Sequence, residues 1–307
     1  MPRHYATPAF WEEDSFTAPD GTVFPRTSWL PVEGRRPKAV LIAVHGLGGA
    51  TSDWWPLGET CKTNGMALYS YELRGMGNDP QPSHRGDLDR KHGWLQDFTS
   101  FTKRVREVYP DVPMVWVGES LGGVIVLNTL IHHVDAGIQP VACILTSPIV
   151  QVDGKIGGWR EPLIKLAMCL APRVKVDLQA LGNTDMASVK VVSNTTHRAQ
   201  QRKTLHAITR YSLRLLSRVA SLVRENRRKL AAVKVPILVF YGGHDVFTER
   251  EEVDNWFLEI GSSDKQKMFV PDGYHLLLHD KDRLLVLRRI EKWLGEIINY
   301  CEERETF

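Results

Sequence analysis

The nine residues from Val115 to Gly123, VWVGESLGG, constrain this chain more than any other stretch. A β-branched and aromatic run ends at Gly118, Ser120 stands between two glycines, and an apolar helix-forming run opens at Leu121. Gly-x-Ser-x-Gly between a strand and a helix predicts a sharp turn with strained geometry at the serine. Gly118 and Gly122 are glycines because side chains there would collide with neighbouring elements. The helix start directs its dipole and its free N–H groups at the turn. Without its flanks the pattern is common and fits a plain tight turn; with strand before and helix after, Ser120 is a candidate nucleophile.

Short β-branched and apolar runs recur at 39–44, 66–71, 114–117, 141–145, 237–241 and 267–270. Helix-length amphipathic stretches follow or separate them at 94–109, 121–133, 250–260 and 282–300. The alternation predicts an α/β fold, a mostly parallel central sheet with helices on both faces. The segment from Phe10 to Pro31, with its Pro-Asp-Gly turn at Pro19 to Gly21, predicts an antiparallel hairpin at one sheet edge. Between Ser147 and Val235 the rhythm breaks. No convincing strand is found there, but two helical patterns are, at 161–170 and 195–230, the second placing Leu205, Ile208, Leu215, Val219 and Leu222 on one face. Residues 1–147 and 235–307 therefore read as the body, and 148–234 as a helical cap inserted over the sheet's carboxyl edge, where open α/β sheets bind ligands. A chain of 307 residues buries roughly three-quarters of its unfolded surface without staples.

A glycine-rich turn, HGLGG at His45 to Gly49, follows the first of these strands directly. It lets the backbone N–H of Leu47 aim at a substrate oxygen together with the N–H of Leu121, an oxyanion hole. A phosphate-binding turn of a dinucleotide fold fits less well, because the G-x-G-x-x-G spacing with a downstream acid is not met. His45 reads as a hydrogen-bonding residue of the turn. A serine hydroxyl needs a base to take its proton, and the base needs an orienting acid. Asp245, just past the strand 237–241, would reach the same edge as Ser120; Asp254 falls mid-helix, and Asp272, Asp280 and Asp282 read as surface or capping acids. His275, in the loop between the last strand and the last helix, is the preferred base over His279, which lies nearer the helix. His244 is expected to point away from the cleft.

With these motifs the chain resembles the α/β-hydrolases, and within them the monoacylglycerol lipase, lysophospholipase and serine aminopeptidase group. The carriers are HGLGG, GESLGG, the insertion ahead of the acid-bearing strand, VPILVFYGGHDVF and GYHLLLHD, spanning about Ala39 to Trp293. One family element, usually Asp-x-Arg-Gly-His-Gly-x-Ser, appears with Glu72 for Asp, Met76 for His and Asp79 for Ser around Arg74. The resemblance implies a serine carboxylic-ester hydrolase with the triad Ser120, Asp245 and His275, an acyl-enzyme, no metal or organic cofactor, and a monoacylglycerol- or lysophospholipid-like single-chain ester as substrate. Thioesterase, peptidase and carbon–carbon hydrolase share the triad. A non-catalytic, hydrolase-like binding protein is the alternative from another class, against which the three intact residues argue. Trp54, Leu163 and Met168 are candidates to line the acyl pocket, or equally to pack the cap and the core.

The formal net charge of +3 hides an uneven distribution. Val192 to Lys234 carries eleven Lys and Arg against the single acid Glu225, a surplus of ten that leaves about −7 on the remainder. Arg210, Arg214 and Arg218 recur every four residues and predict one face of the long cap helix. A solvated face, peripheral contact with an anionic membrane surface and recognition of an anionic substrate group all fit such a block. Nucleic acid is not expected, since no recognised module accompanies the charge. The four cysteines, Cys61, Cys143, Cys169 and Cys301, are scattered, which favours a reducing compartment. The first residues lack the basic flank and apolar run of a signal peptide, and no apolar run approaches ~20 residues. A cytoplasmic protein, at most peripheral to membrane, is expected.

Overall fold

The computed structural model describes residues 14–32, 35–90, 92–132, 136–152, 166–177, 189–195 and 206–305. β1 (Ser15–Thr17) and β2 (Val23–Trp29) form the expected hairpin, its turn held by the Gly21 N–H on the Ala18 carbonyl at 2.9 Å. β2 pairs antiparallel with β4 (Ala67–Tyr71); from there β3 (Val40–Val44), β5 (Met114–Glu119), β6 (Ala142–Thr146), β9 (Ile237–Gly242) and β10 (Lys265–Val270) all run parallel. The order β1-β2-β4-β3-β5-β6-β9-β10 makes an eight-stranded sheet. β7 (Lys175–Asp177) and β8 (Arg210–Ser212) form a separate antiparallel pair.

Every residue of β3, β4, β5, β6 and β9 is buried, which is why these strands read as continuous apolar runs rather than alternating ones. Their side chains divide by parity. Val40, Ile42 and Val44 enter one core with Trp94, Phe98 and Phe101 of α2 (Gly93–Val108) and with Val124 of α3 (Leu121–His132). The same core takes Leu215, Val219 and Leu222 of α4 (Leu213–Lys229), and Val253 and Trp256 of α5 (Arg250–Glu259). Leu41 and Ala43 enter the other core, with Leu57 and Cys61 of α1 (Trp55–Thr63) and Val286, Ile290 and Trp293 of α6 (Arg283–Glu305). Two covered faces leave the strand ends as the open surface of the sheet.

The chain between β6 and β9 departs from expectation in two ways. It contains strands, β7 and β8, and its long helix opens at Leu213 rather than near Thr195. Ser212 is the reason. Its hydroxyl accepts the Leu215 N–H at 3.1 Å, an N-cap, while the three residues before the helix pair with β7. Arg210 is therefore on a strand and shares no helix face with Arg214 and Arg218. Of the earlier pattern at 161–170, residues 166–170 are helical; Leu163 and Leu205 lie outside the described residues. Asn226 docks α4 on α3, accepting from Asn128 at 3.0 Å and donating to the Val124 carbonyl at 2.9 Å.

Candidate active site

Parallel pairing brings the ends of the buried strands to one edge. Val44 pairs with Gly118, Glu119 with Thr146, Thr146 with Phe240, and Gly242 with Val270, so the loops that follow these strands emerge side by side. Ser120, Asp245 and His275 sit on three of those loops. Ser120 occupies the turn from β5 into α3 with φ +53°, a left-handed conformation strained for any residue with a Cβ. The glycines around it have no room: a Cβ on Gly122 would stand 1.8 Å from the Val44 carbonyl oxygen, and one on Gly118 2.5 Å from the Gly123 nitrogen. The Ser120 N–H donates to the Thr146 carbonyl at 3.0 Å, tying the turn to β6.

His275 Nδ1 meets Asp245 Oδ2 at 2.8 Å, both side chains buried, and Asp245 Oδ1 accepts the Phe247 N–H at 2.9 Å. Burial alone would lower the imidazole pKa. The Asp245 charge and hydrogen bond, with a further contribution from the Glu119 charge, outweigh it and hold the pKa above the usual value. Phe247 packs edge-on to the His275 ring at 4.8 Å between centroids. His279 turns elsewhere, its Nε2 on the Asp53 carbonyl at 2.8 Å, and His244 stacks on Tyr274. Asp254 pairs with Lys267 and Arg250, and Asp272 with Lys281. Asp280 is buried rather than solvated. It accepts the Tyr274 N–H at 3.0 Å and the Ser193 N–H at 2.8 Å, joining the His275 loop to the chain between β6 and β9.

The HGLGG turn lies against Ser120: a Cβ on Gly46 would stand 3.2 Å from Ser120 Cβ. His45 Nε2 accepts the Leu73 N–H at 3.1 Å, which leaves the proton on Nδ1 to be donated to the Gly46 carbonyl at 3.0 Å. Among the described residues the Leu47 N–H has no acceptor. The Leu121 N–H, at the first position of α3, is one of the amides a helix start leaves without an internal partner. The departures around Arg74 have local uses. Glu72 takes the Thr51 N–H at 3.0 Å, the Thr51 hydroxyl at 3.1 Å and the Asn78 amide at 3.1 Å, while the Met76 sulfur accepts the Gly48 N–H at 3.4 Å. Asp79 closes its own turn on the Gly75 N–H at 2.6 Å. Arg74 itself forks onto Asp97 at 2.9 and 3.1 Å and reaches Asp20 at 2.8 Å.

The pocket candidates separate. Trp54 is 1% exposed and packs with Leu57 and Leu277 in the core on the α1 side of the sheet, so it does not line the cleft; Trp55, 46% exposed, lies under Arg283. The cause is the helical turn at Thr51–Trp54, which rolls Trp54 inward before α1 begins. Met168 is half-buried on a short helical stretch whose Leu166 and Leu170 are exposed. Two further residues, neither marked by a motif of its own, stand close to the site. Tyr211 of β8 covers the HGLGG turn, its hydroxyl oxygen 2.6 Å from where a Gly48 Cβ would be. Glu119 is 3% exposed, and its Oε1 has no hydrogen-bond partner among the described residues. Burial and the Asp53 charge push its carboxyl up to about 7, against the pull of His275 and His45. The sequence signal for Glu119 was its place beside Ser120; for Tyr211 there was none. Among the described residues no cluster of three His, Cys, Asp or Glu could hold a metal ion, and no helix is long and apolar enough to cross a membrane.

Sheet order, carboxyl-edge loops and a left-handed serine between strand and helix together define an α/β-hydrolase. The pattern of the family described as serine aminopeptidase, S33, matches residues 35–282, and the chain belongs to that family. It is similar to the caffeoylshikimate esterase of Arabidopsis thaliana, 23% identical over 92% of this chain and 84% of that protein. It is likewise similar to the monoacylglycerol lipase of Mycolicibacterium smegmatis, 22% identical over 92% of this chain and 96% of that one. A soluble variant of monoglyceride lipase from Saccharomyces cerevisiae, solved with a substrate analogue, shares the fold with a TM-score of 0.75 at 17% identity, over 94% of this chain and 99% of that chain.

Proposed function

We propose that the protein is a serine carboxylic-ester hydrolase working through an acyl-enzyme on single-chain esters of the monoacylglycerol or lysophospholipid kind. The observation that carries this reading is the buried 2.8 Å contact of His275 Nδ1 with Asp245, on the same sheet edge as a left-handed Ser120. Asp245 fixes the tautomer in which Nδ1 carries the proton, so Nε2 is the basic nitrogen. Nε2 takes the Ser120 proton as Oγ attacks the ester carbonyl; the oxyanion is received by the Leu47 and Leu121 N–H groups; and Nε2 returns the proton to the departing alcohol. Water then attacks the acyl-enzyme by the same path. In this reading residues 148–234 form a cap over the cleft, with Tyr211 on its inner side against the HGLGG turn. The exposed Arg224, Arg228 and Lys229 of α4 are the cations that would meet an anionic lipid surface, each contributing on the order of 1 kcal/mol.

The relatives' names favour esters; the family's name keeps an aminopeptidase as the second reading. The deciding experiment is one substrate panel: monoacylglycerols of graded acyl length, lysophospholipid, a phenolic ester and an aminoacyl anilide, each with native protein and Ser120→Ala. Turnover of the esters that disappears in Ser120→Ala, with a fluorophosphonate adduct on Ser120, is the expected result. Full activity in Ser120→Ala would end the serine mechanism, and turnover of the anilide alone would end the ester assignment.

A further inference from the structure

Ser147 follows β6 and belongs to no motif. It is 0% exposed, and its φ is +44°, in the left-handed region where a Cβ is strained and glycine is the usual occupant. Pro148 narrows the conformations open to it further. Among the described residues, Ser120 and Ser147 are the non-glycine residues with positive φ. A buried strained residue persists where its surroundings over-determine it. The Ser147 N–H donates to the Phe240 carbonyl at 2.8 Å, on the strand that leads into the Asp245 loop. Its hydroxyl donates to the carbonyl of His275 at 2.6 Å. Thr146, the residue before, accepts the Ser120 N–H at 3.0 Å, and the Pro148 carbonyl accepts the Thr248 hydroxyl at 3.3 Å, three residues past Asp245. Three consecutive residues thus hold the nucleophile turn, the acid loop and the base loop, which are distant in sequence from one another.

We infer that Ser147 is a positioning residue for the reaction: its hydroxyl, fastened to the His275 carbonyl, sets the base loop in register with Ser120 and Asp245. The inference rests on the triad proposed above. Neighbouring anchors of that loop, the Tyr274 N–H on Asp280 and the Leu276 N–H on the Val191 carbonyl at 2.8 Å, engage residues on either side of His275; Ser147 holds His275 itself. Glycine at 147 would relieve the backbone but lose the hydroxyl, while alanine would lose the hydroxyl and keep the strain.

That contrast is the test, made on the full-length protein with Ser147→Gly and Ser147→Ala. If the hydroxyl positions the base, both variants lose roughly ten- to a hundredfold in kcat on a p-nitrophenyl ester, and in the rate of fluorophosphonate labelling of Ser120, with little change in KM. Their stabilities meanwhile diverge, Ser147→Gly melting above Ser147→Ala. Activity that instead tracks stability, near native in Ser147→Gly and reduced in Ser147→Ala, overturns the inference, as does native turnover in both. Ser120→Ala is run alongside. If it is inactive while both Ser147 variants work normally, the triad stands and only the positioning role fails; if Ser120→Ala still turns over, both fall.

Discussion

A buried carboxylate 2.8 Å from an imidazole nitrogen governs how that ring titrates. In the proposed mechanism His275 must be neutral to accept the Ser120 proton, and its pKa is held above the usual value against the effect of burial. kcat/KM for an ester should therefore fall about tenfold per pH unit as pH drops through an inflection above ~6.5. Asp245→Asn removes the charge that raises this pKa, so the inflection moves to lower pH and turnover drops by several orders of magnitude; a pH–rate profile with an unmoved inflection would contradict the pairing. Gly122 is a steric matter. Alanine there drives a Cβ into the Val44 carbonyl, so Gly122→Ala should cost about 3 kcal/mol or more in urea unfolding and abolish labelling of Ser120. The thiols make a third case. Cys61 and Cys143 are buried, and burial pushes both pKa values up, whereas Cys169 is exposed. A thiol reagent should modify Cys169 in the native protein and reach Cys61 and Cys143 only after denaturation. Triad candidates were legible because each chemistry-bearing residue type stands just past a strand end. Ser147 was not, since nothing local marks a serine whose partner is 128 residues away.

Elements differ in how much of themselves a linear pattern shows. The central strands, covered on both faces, appear as unbroken apolar runs, and their observed bounds lie within a few residues of the expected ones. α4 shows the opposite case: apolar spacing of three, four and seven reaches back from Leu215 through Ile208, but β8 and the Ser212 cap interrupt it. A strand leading into a helix can mimic helical spacing by chance over one turn. Ser212 is doubly engaged, its oxygen accepting the Leu215 N–H and its hydroxyl donating to Asp87 at 2.5 Å. Asp87 also takes Arg214 Nε at 2.6 Å, so the start of α4 is bonded to the loop after the Arg74 element. Ser212→Ala should cost about 1–2 kcal/mol and lower Tm by roughly 2–4 °C. A variant as stable as native would mean that the cap and the Asp87 contact contribute nothing at this helix start.

For the whole molecule, the distribution of charge is legible in sequence and its engagement is not. The surplus of ten between Val192 and Lys234 is partly neutralised by the fold: Arg214 pairs with Asp87, and Arg227 with Glu259 at 2.9 Å and Gln151 at 3.1 Å. Among the described residues, the exposed Arg224, Arg228 and Lys229 lie toward the end of α4, where cations also suit the helix dipole. Binding to anionic vesicles should accordingly be weak and vanish as salt shortens the screening length to ~8 Å, read by co-sedimentation at two ionic strengths; binding that salt does not reduce would exclude attraction through these cations. Local pattern along the chain is enough for the α/β alternation, the parallel sheet and the candidate residues at its carboxyl edge. These follow from local periodicity and from residue types that only certain turns accept. Only the folded arrangement turns Trp54 to the core, lays Tyr211 over the HGLGG turn, and joins the loops of Ser120, Asp245 and His275 through the stretch around Ser147. Such outcomes depend on which surfaces meet, and contacts between residues far apart in the chain leave no mark in the spacing of either partner.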